Sequence, residues 1–429
     1  MKCVRFGGLL ALVAGAMLWA APALADTLYV HAGKLIDPEK GTVQTDRLIR
    51  IDDGRITAVT AYAPPPAGAV QIDWSALTVL PGLIDMHTHL SDAEQSNNPA
   101  EPLLHSEADI AFLAAKHARD TLAAGFTSVR DVGTFRAFSD VALRKAIDAG
   151  LVEGPRMSVA GAYLTVPGGG GEVTGLAADV QVPEIMRMGV VSGSEQMTVK
   201  ARMMFQRGAD FLKLIATGAV LAAGTEPGAP ELSEAEMHAA VLEAARNRSY
   251  ATAHAHGADG IKMAIRAGVR SIEHASLIDD EGIALAKTRG VWLVMDIYNG
   301  DWINEAGARD GWPAEILRKN RDTTDAQREG FRKAVKAGVR LAFGTDAGVY
   351  PHGLNARQFK YMVRFGMTPM QAIRSATTEA AALMGKSADV GAISPGHFAD
   401  MIAVAGNPLA DIGVLEHVDY VMKGGKVVR

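Results

Sequence analysis

Between residues 81 and 390, short apolar runs alternate with stretches of helical periodicity, and this alternation limits the possible folds more than any other feature of the chain. The strand-like runs are Leu83–His87, Thr127–Asp131, Arg156–Ala160, Phe211–Ile215, Tyr250–His254, Val269–His274, Val291–Asp296 and Val339–Asp346. Helical stretches lie between most of them: Ala108–Ala124, Ser194–Arg207, Glu234–Asn247, Asp259–Ala267, Asp280–Arg289 and Asp325–Ala337. Ser233 and Glu236 make a capping box for one of these. Eight strands in such alternation fit an α/β fold of the (β/α)8 TIM-barrel type, whose active site lies at the strand C-terminal ends. A doubly wound open sheet is the alternative, but no G-x-G-x-x-G follows the first strand and no P-loop occurs.

The flanks read differently. Thr27–Leu35, Arg47–Asp52 and Arg55–Thr60 are strand-like, with turns at Asp37-Pro38 and Asp53-Gly54. Phe398–Val404 and Tyr420–Val428 match that style at the other end. Residues 26–80 and 391–429 are therefore expected to meet in one small composite β-domain beside a barrel spanning 81–390. Residues 1–25 form a third segment, with Lys2 and Arg5 ahead of an apolar stretch and Ala23-Leu24-Ala25 as a small-residue cleavage site. That pattern predicts a signal peptide and an exported protein, periplasmic or secreted, with no membrane association once the segment is removed.

Cys3 is the sole cysteine, so the mature chain would carry none, and any metal must be held by nitrogen and oxygen. A net charge of −5 without a basic block argues against nucleic acid as a partner.

Chemistry-bearing residues fall at the ends of the apolar runs. His87 and His89 lie two apart, which in a strand directs both to one face. His254 and His274 end two further runs, and His256 follows two residues beyond His254. Lys213 stands inside the apolar run Phe211–Ile215, where burial lowers the pKa of an ammonium. It either reaches solvent or a carboxylate, or it is a neutral amine that has taken up carbon dioxide to become a metal-bridging carbamate. Asp346, between Gly344 and Gly348, would need a partner if buried, and a metal with its water suits it. Of the other histidines, His117 and His238 sit in helical patterns, and His31, His397 and His417 belong to the flanking domain. The long stretches Val166–Gly175, Gly218–Leu232 and Asp296–Thr324 read as binding loops. The run Gly168–Gly171 in the first could instead cradle phosphate, although no Gly-Lys-Ser/Thr follows it.

Taken in order, Pro81-Gly82-Leu83-Ile84-Asp85-Met86-His87-Thr88-His89, Lys213, His254-Ala255-His256, Glu273-His274 and Gly344-Thr345-Asp346 resemble the motif series of the amidohydrolase superfamily, over nearly the whole mature chain. The resemblance implies a distorted (β/α)8 barrel with a composite β-sandwich domain. It implies two divalent ions, zinc first among the candidates: His87, His89 and Asp346 on one, His254 and His274 on the other, and carboxylated Lys213 bridging them. A bridging hydroxide would attack a carbonyl carbon, with Asp346 as general base and then acid. His256 would face the substrate. Higher-order homo-oligomers are common among such proteins.

Within that superfamily, His254-Ala255-His256-Gly257, Ser271-Ile272-Glu273-His274-Ala275 and Gly344–Gly353 are most similar to the Xaa-Pro and Xaa-Arg dipeptidase-like branch that includes ochratoxin-hydrolysing amidases. One departure is Glu172, after the glycine run, where relatives often have histidine. The branch implies a small-molecule substrate: a dipeptide, an N-acyl amino acid or an ochratoxin-like amide. Its free carboxylate needs a partner near the metals, for which His256, His352, Tyr163, Tyr350 and Arg130 are the candidates, Arg130 alternatively supporting the barrel. The apolar loop Ala219–Ala223 is a candidate receiver for a hydrophobic side chain. The alternatives are a lactonase, a single-metal deaminase, against which Lys213 argues, and a non-catalytic binding protein, against which the complete ligand set argues. Zincin-type peptidases are excluded by the lack of H-E-x-x-H.

Overall fold

A computed structural model describes Lys2 and residues 27–429. The apolar stretch and Ala23-Leu24-Ala25 on which the export expectation rests lie outside the described residues.

Both ends of the chain contribute to one seven-stranded sheet, ordered Lys426–Val427, Tyr420–Lys423, Met401–Val404, Val70–Pro81, Leu28–Asp37, Thr42–Asp52, Arg55–Ala61. Asp53 and Gly54 both take positive φ, the requirement of a tight turn whose twist matches that of the strands it joins. Val30, Ile49, Ile56, Trp74, Val79 and Met401 pack together on its buried face.

Strand Val70–Pro81 passes through Gly82 straight into Leu83–Thr88, so one residue separates the flanking sheet from the central domain. Gly82 is required there by space: a Cβ would stand 2.1 Å from Thr127 Oγ1. The central strands form two parallel arcs, Leu83–Thr88, Phe126–Asp131, Arg156–Val159 and then Tyr163–Leu164, Leu212–Ile215, Ala251–Ala255, Ser271–His274, Trp292–Val294, Leu341–Ala342. Nearly every residue in them is buried, as expected of parallel strands covered by helices. The first and last strands meet through Met86 N–H to Phe343 O at 2.9 Å, Asp346 N–H to His87 O at 2.8 Å and His89 N–H to Ala347 O at 2.9 Å. The fold is α/β, TIM-barrel-like, with a sheet domain assembled from both chain ends.

The expected strands and helices are present with shifted boundaries. Arg156–Ala160 breaks at Gly161, whose φ of 84° turns the chain before pairing resumes at Tyr163. The last expected strand keeps ladder pairing only at Leu341–Ala342, because Asp346 adopts φ 57° and leaves the extended region. Ser233 and Glu236 make the expected capping box, and Ser106 with Asp109 makes another.

The stretch 296–324 corrects the reading as a loop: it forms Asn299–Asp310 and the first half of the 24-residue helix Ala314–Ala337. Gly300, Gly307 and Gly311 obscured the periodicity, yet they have structural uses. Cβ atoms at Gly300 and Gly307 would lie 2.2 Å from Thr324 Oγ1 and 2.3 Å from Leu317 Cδ2, so both let the two helices touch. Among the described residues no helix is long and apolar enough to cross a membrane.

Candidate active site

All six residues singled out as metal ligands line one cavity of 410 Å³ at the C-terminal ends of the central strands. Strand geometry places them. His87 and His89 come from the end of the first strand, Lys213 from Leu212–Ile215, His254 from Ala251–Ala255 and His274 from Ser271–His274. Asp346 follows Leu341–Ala342. His274 and Asp346 both hold positive φ, 68° and 57°. A non-glycine residue there costs on the order of 1–3 kcal/mol, and such strain gathers where side-chain direction matters.

Hydrogen bonding fixes how three of the rings present themselves. His87 Nδ1 lies 3.0 Å from Glu273 Oε2, His89 Nδ1 2.9 Å from the Gly133 carbonyl and His274 Nδ1 3.0 Å from Asp296 Oδ1. Those oxygens only accept, so each Nδ1 carries a proton and each Nε2 is left with its lone pair. This is how metal-binding histidines are usually held. His87 Nε2 and His89 Nε2 then stand 3.2 and 3.1 Å from the same oxygen, Oδ1 of Asp346. Two lone pairs facing an anionic oxygen repel unless a cation sits among them, and the buried His87 Nε2 has no hydrogen-bond partner. The donor set therefore fits a metal ion, all nitrogen and oxygen.

A second group has ligand atoms of His254, His256 and His274 within 4.8 Å of one another, and a third joins His274, Asp296 and Asp346. His256, expected to face substrate, thus stands beside the histidines expected to hold the second ion. Its Nε2 is buried without a partner while Nδ1 lies 2.8 Å from Ser276 Oγ. Burial and the neighbouring His274 push its pKa down to about 3, and the same two causes hold His254 well below the usual range. Burial likewise lowers Lys213 to about 8, against the pull of Glu273 and Asp346. Burial alone would raise Asp346, and its carboxyl is held well below the ordinary range only while positive charge stands among His87, His89 and His274.

The proposed substrate contacts divide. His256 and Tyr163 line the cavity, although the Tyr163 hydroxyl already donates to Asp92 Oδ2 at 2.9 Å. Arg130, His352 and Tyr350 do not line it, which corrects their reading as substrate contacts. Arg130 is wholly buried and donates to Met86 O, Ser271 Oγ and Glu273 Oε1 at 2.7, 2.9 and 2.7 Å. It supports the strands. His352 stacks on His117 at 4.4 Å, and Tyr350 packs with Tyr298 and Ala347.

Glu172 and the glycine run have structural work instead of phosphate binding. Glu172 accepts from Gly168 N and Arg187 Nε at 2.6 and 2.7 Å, while Gly170 N donates to Glu231. A Cβ on Gly170 would press to 3.0 Å from Ala219, so the run lets two cavity loops lie against each other.

Sequence reasoning missed Asp296, Glu273, Asn299, Gln327 and Asp92 as site residues. Asn299 Nδ2 reaches Asp296 Oδ2 at 2.7 Å and Asp346 Oδ2 at 3.2 Å, and Gln327 Nε2 reaches Asp296 Oδ1 at 2.8 Å. Asp296 carried a usable signal, since it ends an apolar run as Asp346 does.

A (β/α)-barrel-like domain with such histidine and aspartate clusters at its strand ends defines a family, and the match is direct: residues 78–428 fit the amidohydrolase family model. The chain belongs to the amidohydrolase family. It is 32% identical over 426 residues to the ochratoxinase of Aspergillus niger, covering 94% of this chain and 87% of that protein. Among solved structures it is similar to a Xaa-Pro dipeptidase with methionine bound in its active site, at TM-score 0.88 and 38% identity, covering 94% of this chain and 100% of the other. The A. niger ochratoxinase structure matches at TM-score 0.82 and 29% identity over 95% and 96% of the two chains. Those relatives make this protein a hydrolytic enzyme.

Proposed function

We propose that the protein hydrolyses the amide bond of a C-terminal amino acid in a dipeptide, an N-acyl amino acid or an ochratoxin-like aromatic amide, using two divalent ions, zinc first among the candidates. One observation carries this reading: His87 Nε2 and His89 Nε2 converge on a single oxygen of Asp346, beside a second histidine cluster in the same cavity. His87, His89 and Asp346 would hold one ion, His254 and His274 the other, with Lys213 as a carbamate between them. Bound ions supply Lewis acidity that polarises a carbonyl and brings the ionisation of water near neutral pH.

The chain's own groups do the rest. Asp346, ionised by the positive charge held among its histidine neighbours, takes a proton from the attacking water and returns it to the departing amine. Asn299 steadies that carboxylate from its other oxygen. Burial of Lys213 favours the neutral amine, the form that adds carbon dioxide. His256, with Nδ1 2.8 Å from the Ser276 hydroxyl and Nε2 without a partner, is placed to present Nε2 to the substrate. The likeness to an ochratoxinase and to a Xaa-Pro dipeptidase supports an amide over a lactone or a phosphoester.

A screen of zinc-loaded protein tests this reading. Xaa-Pro, Xaa-Phe, Xaa-Arg and N-acyl amino acid libraries are run beside ochratoxin A and simple lactones, with release of a free amino acid as the readout. Turnover of carboxylate-bearing amides is expected. Turnover confined to lactones, or to substrates without a carboxylate, would overturn the amide assignment.

A further inference from the structure

The cavity has two unlike sets of lining residues. Apart from the histidines and carboxylates, Val220, Leu221, Ile303, Trp312, Ile316 and Val349 line it and pack together as one apolar cluster. Three of these come from the two helices after Asp296 and from Trp312 between them, supported from behind by packed helix. Val220 and Leu221 have no such support. They belong to the stretch 216–233, which carries no helix or strand of its own. A loop can act as a wall only if something holds it in place.

That hold is Lys319, a lysine the chemistry of the centre does not use. It projects from the helix Ala314–Ala337, one turn beyond Ile316, and is wholly buried. Its ammonium has three N–H donors, and three acceptors meet them: Ala222 O at 2.7 Å, Thr225 O at 2.9 Å and Glu315 Oε1 at 2.9 Å. Glu315 Oε1 also accepts from Gly224 N at 2.9 Å, and Arg318 on the same helix reaches Glu226. Inside the loop, Thr225 Oγ1 bonds to Ala219 O at 3.2 Å and Ala222 O at 3.0 Å. Carbonyls pointing at a buried ammonium leave the loop little freedom, because moving it would strand both the charge and its acceptors in an apolar setting.

We propose that Lys319 is a positioning residue for specificity: it fixes the loop Ala219–Glu226 as the apolar wall of the cavity, so that the enzyme prefers substrates bearing a bulky apolar side chain. Lys319 does not itself line the cavity. The inference rests on the amide-hydrolase reading for its substrate class and on the loop contacts alone for the role of Lys319.

The test compares N-acyl-phenylalanine with N-acyl-glycine on zinc-loaded wild type, Lys319→Met and Thr225→Val, with metal content measured for each. Thr225→Val is isosteric and loosens the loop from within should Lys319→Met fail to fold. Wild type is expected to favour the phenylalanine substrate by roughly tenfold or more in kcat/KM, the scale of one well-filled apolar pocket. The variants should lose most of that ratio through a raised KM for the phenylalanine substrate, with the glycine substrate and the metal content little changed. An unchanged ratio, an equal loss on both substrates, or no preference in wild type would overturn the inference. Hydrogen exchange of residues 219–226 separates it from the parent reading. If neither substrate is cleaved, the amide-hydrolase reading and the substrate preference both fail, and the role of Lys319 then stands on faster exchange in Lys319→Met and falls on unchanged exchange.

Discussion

Replacement of Lys213 by alanine is expected to lower kcat by at least ~10³-fold, the equivalent of about 4 kcal/mol of transition-state stabilisation. Its side chain lies in the cavity among the metal-binding candidates, and no neighbouring group is placed to supply two bridging oxygens from the same strand. Bound metal should fall from about two ions per chain to one or fewer, as expected when a ligand common to two ions is lost. The fold should survive, because alanine removes a buried amine along with its methylenes. Elemental analysis and kinetics on the same preparation check this. Full metal content with full activity would refute the carbamate reading.

The second large effect concerns stability. Arg130→Met should cost ~3–5 kcal/mol, because it leaves the Glu273 carboxylate uncompensated in the barrel interior. Glu273 also accepts hydrogen bonds from His87 Nδ1 and from the Ser271 and Thr252 hydroxyls, so it links the interior of the central domain to a ring that lines the cavity. Burial opposes its charge, but Arg130 and His87 hold its carboxyl well below the usual range. The sign follows: this contribution is complete above the unfolded pKa of 4.5 and is lost as pH falls below it. Denaturant unfolding at neutral pH should show the loss in Arg130→Met. Adding Glu273→Gln should restore more than half of it, since the uncompensated charge is then gone. A loss below ~1 kcal/mol, or full additivity of the two changes, would contradict the assignment of Arg130 as a buried support.

The contrast between Lys213 and Arg130 shows what is legible in the chain. Lys213, His87, His89, His254, His274 and Asp346 stand in or at the end of short apolar runs, and the twofold period of a strand sends neighbours such as His87 and His89 to one side. Such information is local. Arg130 also sits in an apolar run, but its direction depends on Glu273, 143 residues away in sequence. No periodicity encodes that partner. The same holds for Tyr350 and His352, which follow Asp346 closely yet turn into packing against Tyr298 and His117. The helix Asn299–Asp310 was hidden for another reason, since glycines that serve close helix contact look like loop residues when the contact is unseen. Lys319 falls in the stretch read as a loop, and nothing local marks it until the segment that covers it is in place.

The most direct measurement is a titration of metal-free protein with zinc, following amine release from an N-acyl-phenylalanine or an Xaa-Pro dipeptide. Activity should rise to a plateau at about two ions per chain, as a two-metal hydrolytic site requires. A plateau at about one ion, or no amine released at any zinc loading, would contradict the assignment of this cavity as a binuclear amide-hydrolysing centre.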